Sequence, residues 1–176
     1  MDKPTADFDF RAMSWFFKLR DFFQPRKEIL AEVNIKPGFK ILDYGCGPGS
    51  YAVVAAQMVG EKGMVYALDI HPLAIQQVQK TAARKGLANV EAILSDCATG
   101  LPDASIDVAL LYDTLHDLGE PDRVLAELHR VLKPDGILSF SDHHLKENEI
   151  VSRVTDKDLF KLSGKGKKVY NFAKVH

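Results

Sequence analysis

Residues 43–49 read Asp-Tyr-Gly-Cys-Gly-Pro-Gly, three glycines at alternate positions behind one acid. Glycine loses more conformational entropy on folding than any other residue. Three in five positions imply a backbone turning with positive φ, or a partner pressed too close for a Cβ. The run leaves the apolar pair Ile41-Leu42 and opens a second apolar stretch, where the first N–H groups of a helix face outward. A second acid, Asp69, lies 24 residues after Gly45 at the end of Val65-Tyr66-Ala67-Leu68. A carboxylate there is placed to accept both ribose hydroxyls of a nucleoside, although a solvated strand end would also hold an Asp. The dinucleotide fingerprint G-x-G-x-x-G does not match, because Ser50 occupies its last position. Asp43 would also repel a pyrophosphate, whereas it suits a cation such as an ammonium. The ligand inferred is a nucleoside carrying a positive group rather than phosphates. A third acid, Asp96, ends a third apolar run, placed to accept from an adenine amino group. The backbone N–H of Cys97 would meet a ring nitrogen, and Ile70 and Leu101 would sandwich the base.

Two later stretches hold groups that move protons. Residues 112–117 offer Tyr112, Asp113, His116 and Asp117, and residues 142–144 offer Asp142, His143 and His144. Histidine titrates near neutrality, which suits a general base. Ordinary loop polarity explains the same residues. A metal site from these histidines and an Asp would rest on no known ligand spacing, and none is assigned.

The elements that must position these residues alternate. Apolar runs at 39–45, 63–70, 90–96, 106–113 and 137–142 read as strands, and helical periodicity fills 50–60, 71–86 and the stretch 120–136 as far as Pro134. Pro72 sits near the start and Gly86 after the end of one helix, the order a helix prefers. Pro134 is expected to stop another before residues 134–136 turn into a strand. A short helix over 147–155 precedes two strands around Ser-Gly-Lys-Gly-Lys, a hairpin. Five βα units ending in a hairpin imply a doubly wound, mostly parallel sheet with helices on both faces. Reversal of strand order then opens a crevice at the carboxyl ends of the strands, where the glycines lie.

The 176 residues suit one domain. Net charge is -1, from 23 basic and 24 acidic residues, so no global field favours nucleic acid or a membrane. No run approaches the roughly 18 apolar residues of a membrane span. Cys46 and Cys97 cannot build a disulfide framework, no signal core is visible, and a cytoplasmic location is expected. Residues 8–23 collect six of the ten Phe and the single Trp, and read as a helix with a wide apolar face. A second short helix is expected at 25–34.

The stretches ILDYGCGPGSYA, VYALDIHP, ILSDCATGLP, IDVALLYDTLHDL and LHRVLKPDGILSFSD, in this order, resemble a class I S-adenosylmethionine-dependent methyltransferase. The resemblance covers residues 36–143, and the terminal hairpin extends it. It implies a seven-stranded sheet of order 3-2-1-4-5-7-6 with strand 7 antiparallel. It implies Asp43 near the methionine end of S-adenosylmethionine and Gly45, Gly47 and Gly49 against its tail and sugar. Asp69 would hold the ribose, and Asp96 with Cys97 the adenine. Tyr44, Cys46, Ile70 and Tyr112 complete the expected cofactor-binding set, and the product would be S-adenosylhomocysteine. His116, His143, His144 and Asp113 are the expected catalytic candidates. The single domain, 1–176, would divide into a helical lid or flank at 1–34, a cofactor-binding core at 36–143, and a helix with a hairpin at 144–176.

Methyl transfer from a sulfonium needs positioning and water exclusion more than catalytic groups. The acceptor expected is a small molecule, with neither nucleic acid nor membrane as partner. Many relatives carry a longer insertion after strand 5 as a substrate cap. Residues 8–23 would take that place as a lid, pack on the sheet, or serve a homodimer contact. Arsenic methylation by relatives uses several thiols, and both cysteines here fall inside cofactor motifs. Two alternatives stand: a non-catalytic S-adenosylmethionine-binding subunit needing a partner, and a nucleotide-binding oxidoreductase, which Asp43 and the glycine spacing disfavour.

Overall fold

The computed structural model describes residues 26–176, so the aromatic segment 8–23 expected as lid, flank or interface lies outside the described residues. The strands are β1 (Lys40–Tyr44), β2 (Met64–Asp69), β3 (Val90–Leu94), β4 (Ile106–Tyr112), β5 (Leu132–Ser141), β6 (Phe160–Lys165) and β7 (Tyr170–Lys174). The helices are α1 (Arg26–Ala31), α2 (Ser50–Val59), α3 (Pro72–Arg84), α4 (Pro121–Val131) and α5 (Glu147–Thr155), with a 3-10 turn at Leu115–Asp117.

Period-two alternation sets the layers. In β4, Val108, Leu110 and Tyr112 face one side and Ala109 and Leu111 the other, and all five are buried. Such a strand must lie inside a sheet covered on both faces. Ile41, Val65, Val108 and Leu110 join one cluster with Leu30 of α1, Ala52 and Ala56 of α2 and Val78 of α3. Leu42, Leu68, Leu111, Phe140 and Phe172 join the other with Val124 and Leu128 of α4 and Ile150 and Val154 of α5.

One seven-stranded sheet results, in the order β3-β2-β1-β4-β5-β7-β6. The pairs β1–β2, β1–β4, β2–β3 and β4–β5 are parallel, and β7 runs antiparallel to both β5 and β6. The fold expected from the sequence is therefore present. The order reverses between β1 and β4, which opens the crevice at their carboxyl ends.

Three local expectations need correction. Four of the first five strands are followed by a helix, but β3 is not: residues 95–105 cross to β4 as an irregular loop. The stretch from Leu132 is not a turn between helix and strand. It already pairs with Ile106, and β5 regains register at Val108↔Ile137, so residues 133–136 bulge outward with Pro134 and Asp135 exposed. A proline and a turn motif are tolerated in a strand where the ladder is broken. The hairpin turn also lies later than expected, at residues 166–169, because β6 continues through Lys165. Among the described residues no helix is long and apolar enough to cross a membrane.

Candidate active site

The glycine loop joins β1 to α2. Gly45, Gly47 and Gly49 all have positive φ, 73, 51 and 84°. A Cβ on Gly45 would lie 2.5 Å from Thr114 Oγ1, and one on Gly49 would lie 2.8 Å from Val78 Cγ2. The chain itself thus presses on two of the three glycines. The expectation of outward-facing loop amides is corrected. Gly45 and Cys46 N–H both donate to the Leu68 carbonyl (2.8 and 2.9 Å), and Gly49 N–H donates to Cys46 (3.0 Å). Gly47 N–H donates to Asp69 Oδ2 at 2.8 Å. These amides are consumed internally and leave no cradle for a phosphate.

Asp43 shares the sheet face of Ile41 and points under this loop towards the first turn of α2. It is buried, and the backbone N–H of Ala52 donates to its carboxyl. Its Oδ2 has no hydrogen-bond partner among the described residues. Burial pushes its pKa up to about 7, the Ala52 N–H opposes this, and the nearby Asp69 charge adds to it. Leaving a buried carboxylate oxygen unpartnered is costly, and protonation or a hydrogen-bond donor or cation at Oδ2 relieves that cost, while the nearby Arg26 charge favours the ionised form. Beside it, Arg26 Nη1 donates to the Tyr51 hydroxyl at 2.7 Å, with the guanidinium 4.4 Å from the ring centroid. Tyr51 meets Tyr112 edge-on at 4.7 Å. The Tyr112 hydroxyl shares a 2.8 Å hydrogen bond with Ser139, and burial raises its pKa.

Asp69, at the end of β2, uses one oxygen for Gly47 N–H and the other for His71 N–H, also at 2.8 Å. Burial raises its pKa and these two donors oppose the rise. Each carboxylate oxygen has two acceptor sites, so Asp69 keeps capacity for hydroxyls. Asp96 and Ile70 are half-buried at the same end of the sheet. The Tyr44 hydroxyl donates to the Asp96 carbonyl (3.1 Å), and Cys97 N–H to Ser95 Oγ through a long 3.3 Å bond. Cys46 and Cys97 are free and buried, and burial raises both thiols.

The histidines gather where β4 and β5 end. His116 Nδ1 is 2.8 Å from Asp142 Oδ2, and that same oxygen also accepts His116 N–H at 3.3 Å. His144 N–H donates to the other Asp142 oxygen at 3.0 Å. His143 Nδ1 is 2.6 Å from Asp113 Oδ1, which also accepts His143 N–H. Asp113 adopts a positive φ of 50° to hold this position. The His144 ring lies between its neighbours, 4.1 Å from His116 and 4.0 Å from His143. Asp117 Oδ2 is 3.4 Å from His116 Nε2. Among the described residues no group of three or more His, Cys, Asp or Glu could hold a metal ion.

All the expected site residues therefore lie at one end of the sheet. Sequence reasoning missed Arg26, Tyr51 and Thr114. Thr114 was reachable in principle: parallel β1–β4 pairing puts Tyr44 beside Leu111, so the chain beyond Tyr112 must rise against the glycine loop.

Comparison with known proteins agrees with this fold. Residues 35–174 match the family model described as a methyltransferase domain. A crystal structure of a SAM-dependent methyltransferase from Aquifex aeolicus superposes with a TM-score of 0.75 at 28% identity, covering 85% of this chain and 88% of that one. A demethylmenaquinone methyltransferase of Geobacillus stearothermophilus is 31% identical over 71% of this chain and 54% of its own length. An aklanonic acid methyltransferase of Streptomyces sp. (strain C5) is 32% identical over 69% of this chain and 56% of its own. The chain thus spans about half the length of these curated relatives.

Proposed function

The chain belongs to the methyltransferase domain family, and from that premise we propose that it transfers a methyl group from S-adenosylmethionine to a small-molecule acceptor. The observation that carries this reading is the buried Asp43 Oδ2, unpartnered among the described residues, beneath a loop whose amides are already spent. Such a site rejects phosphate and suits a nucleoside with a cationic tail.

The residues fit that donor. Asp43 takes the cationic amino-acid end, beside Gly45, Cys46, Gly47 and Gly49. Asp69 accepts ribose hydroxyls on the acceptor sites its two backbone donors leave. Asp96 accepts from the adenine amino group. Cys97 N–H turns from Ser95 to a ring nitrogen, exchanging a 3.3 Å bond for a better one. Ile70 and Leu101 flank the base. Tyr112 serves this region through its ring, since its hydroxyl is engaged by Ser139. When bound, the donor supplies a methyl already activated on sulfonium, so the chain's task is to orient the acceptor and exclude water. The names of the curated relatives, a demethylmenaquinone and an aklanonic acid methyltransferase, support a small-molecule acceptor.

Calorimetry with S-adenosylmethionine and S-adenosylhomocysteine tests the donor, and labelled S-adenosylmethionine with a metabolite extract tests transfer. Both ligands should bind and label should appear in a small molecule. Absence of binding by either ligand sinks the proposal. Binding without transfer would instead indicate a non-catalytic subunit.

A further inference from the structure

The two His–Asp pairs at the ends of β4 and β5 are not equivalent. Asp142 has a side chain with 0% exposure, and its partner His116 is 22% exposed. His143 is 61% exposed, so water screens its pair with Asp113. Asp142 also accepts two backbone N–H groups, from His116 and His144, which fix the carboxylate on both oxygens. A carboxylate only accepts hydrogen bonds, so the buried Asp142 holds a proton on His116 Nδ1, and in the neutral ring the lone pair is then on Nε2, beside the exposed carboxylate of Asp117 at 3.4 Å. His116 lies two residues beyond Thr114, which packs against Gly45. The base is thereby tied to the wall of the loop assigned to the donor.

Resting on the methyltransferase reading above, we infer that His116 is the general base of the acceptor site, that Asp142 positions it, and that the acceptor bears a phenolic or enolic O–H. The chemistry selects this class. A neutral amine attacks with a lone pair already available and loses its proton afterwards. A thiol, with a reference pKa of about 8.5, ionises without much help. A neutral O–H is a poor nucleophile towards sulfonium and must lose its proton early. Imidazole, with a reference pKa of about 6.5, can take a proton from a phenol of about 10, but an aliphatic alcohol is far too weak an acid. In the step, the acceptor O–H gives its proton to His116 Nε2. The electron pair of the oxyanion, on oxygen or on its conjugated carbon, forms the bond to the methyl carbon. The C–S bond breaks and its pair remains on sulfur as a neutral thioether. The imidazolium then sits between the carboxylates of Asp142 and Asp117, next to the His144 ring, with the His143–Asp113 pair beyond. It returns its proton to solvent on its exposed side.

The test uses the full chain with labelled S-adenosylmethionine and four probes: 2-naphthol, catechol, benzylamine and thiophenol. Transfer to the phenols alone is expected, and the product's methyl position separates O- from C-transfer, both of which support a common oxyanion. His116→Gln should lower kcat about 10²–10⁴-fold while S-adenosylhomocysteine affinity by calorimetry stays within about twofold of wild type, which also reports a folded site. Wild-type kcat should fall on the acid side through one ionisation, and Asp142→Asn should move that limb to lower pH, an effect that loss of packing alone would not produce. Transfer to the amine or thiol probe, no transfer to either phenol, or undiminished kcat in His116→Gln overturns the inference. Failure of wild type to bind S-adenosylhomocysteine would instead strike the donor reading on which it rests.

Discussion

Asp43 links burial to ligand charge. Its folded pKa, raised to about 7, exceeds that of an unfolded Asp, about 3.9. The ligand-free fold therefore holds this proton more tightly than the unfolded chain. Its contribution to stability is full below about pH 4 and is lost as pH rises through about 7. A bound cation reverses the preference by pairing with the ionised form. S-adenosylmethionine affinity should thus weaken as pH falls from 8 to 6, by up to about tenfold per unit below the folded pKa. Asp43→Asn should abolish that slope and lower affinity at pH 8 by about 1.5–3 kcal/mol, the scale of a charged hydrogen bond. Calorimetry of both proteins at the two pH values checks this, and parallel pH dependences would remove Asp43 from the cation site. Gly45 tests the neighbouring wall. Gly45→Ala meets both a φ of 73° and Thr114, and should destabilise by about 1–3 kcal/mol. In a Thr114→Ala background the cost should shrink without vanishing, because the φ strain remains. Equal costs in urea unfolding of the two backgrounds would mean that Thr114 yields freely.

Among the elements, the loop at residues 95–105 holds the positions assigned to adenine, and helix α4 supports it. Glu127 Oε1 accepts both the N–H and hydroxyl of Thr99 (2.9 and 2.6 Å), and Arg130 bridges Glu127 to Asp103. The Arg130 bonds, with those from Thr99, hold Glu127 down to about 2. Its stabilising contribution is present above the unfolded value of about 4.3 and is lost as pH falls towards 2. Glu127→Gln should therefore cost about 1–2 kcal/mol at pH 7, less at pH 4, and should loosen S-adenosylhomocysteine binding. Urea unfolding at both pH values and calorimetry check it, and a pH-independent difference would refute the charged tether. This loop also marks where sequence reading stopped. Asp43, Asp69 and Asp96 are each at a strand end, which alternation alone locates. The absence of a helix between β3 and β4 is set by long-range bonds from Glu127, 28 residues away from Thr99. Pro134 reads locally as a terminator, and only pairing with β4 turns it into part of a bulge. The contacts of Gly45 with Thr114 and of Gly49 with Val78 likewise leave no trace in local pattern.

At the scale of the molecule, the last strand in sequence is not an edge. β7 lies between β5 and β6, so β6 joins the sheet only through β7. Phe172 of β7 is fully buried, faces Leu138 on one side and Leu162 on the other, and meets Phe140 edge-on at 6.5 Å. The beginning of the described chain secures the same strand. Glu32, just after α1, accepts Lys168 N–H at 2.9 Å through its side chain and Asn171 Nδ2 at 3.0 Å through its carbonyl. The residues assigned to the site sit instead at or just beyond the carboxyl ends of β1, β2, β3, β4 and β5. Sheet assembly and ligand binding should therefore separate. Phe172→Ala should destabilise by about 3–5 kcal/mol, the cost of a large cavity. Leu162→Ala, on the exposed edge strand β6, should change stability by less than about 0.5 kcal/mol. In the fraction of Phe172→Ala that remains folded, S-adenosylhomocysteine should bind with wild-type affinity. Saturating ligand should then raise the unfolding midpoint by mass action in both proteins. A Phe172→Ala protein that is stable but binds poorly would mean instead that β7 shapes the site through β5.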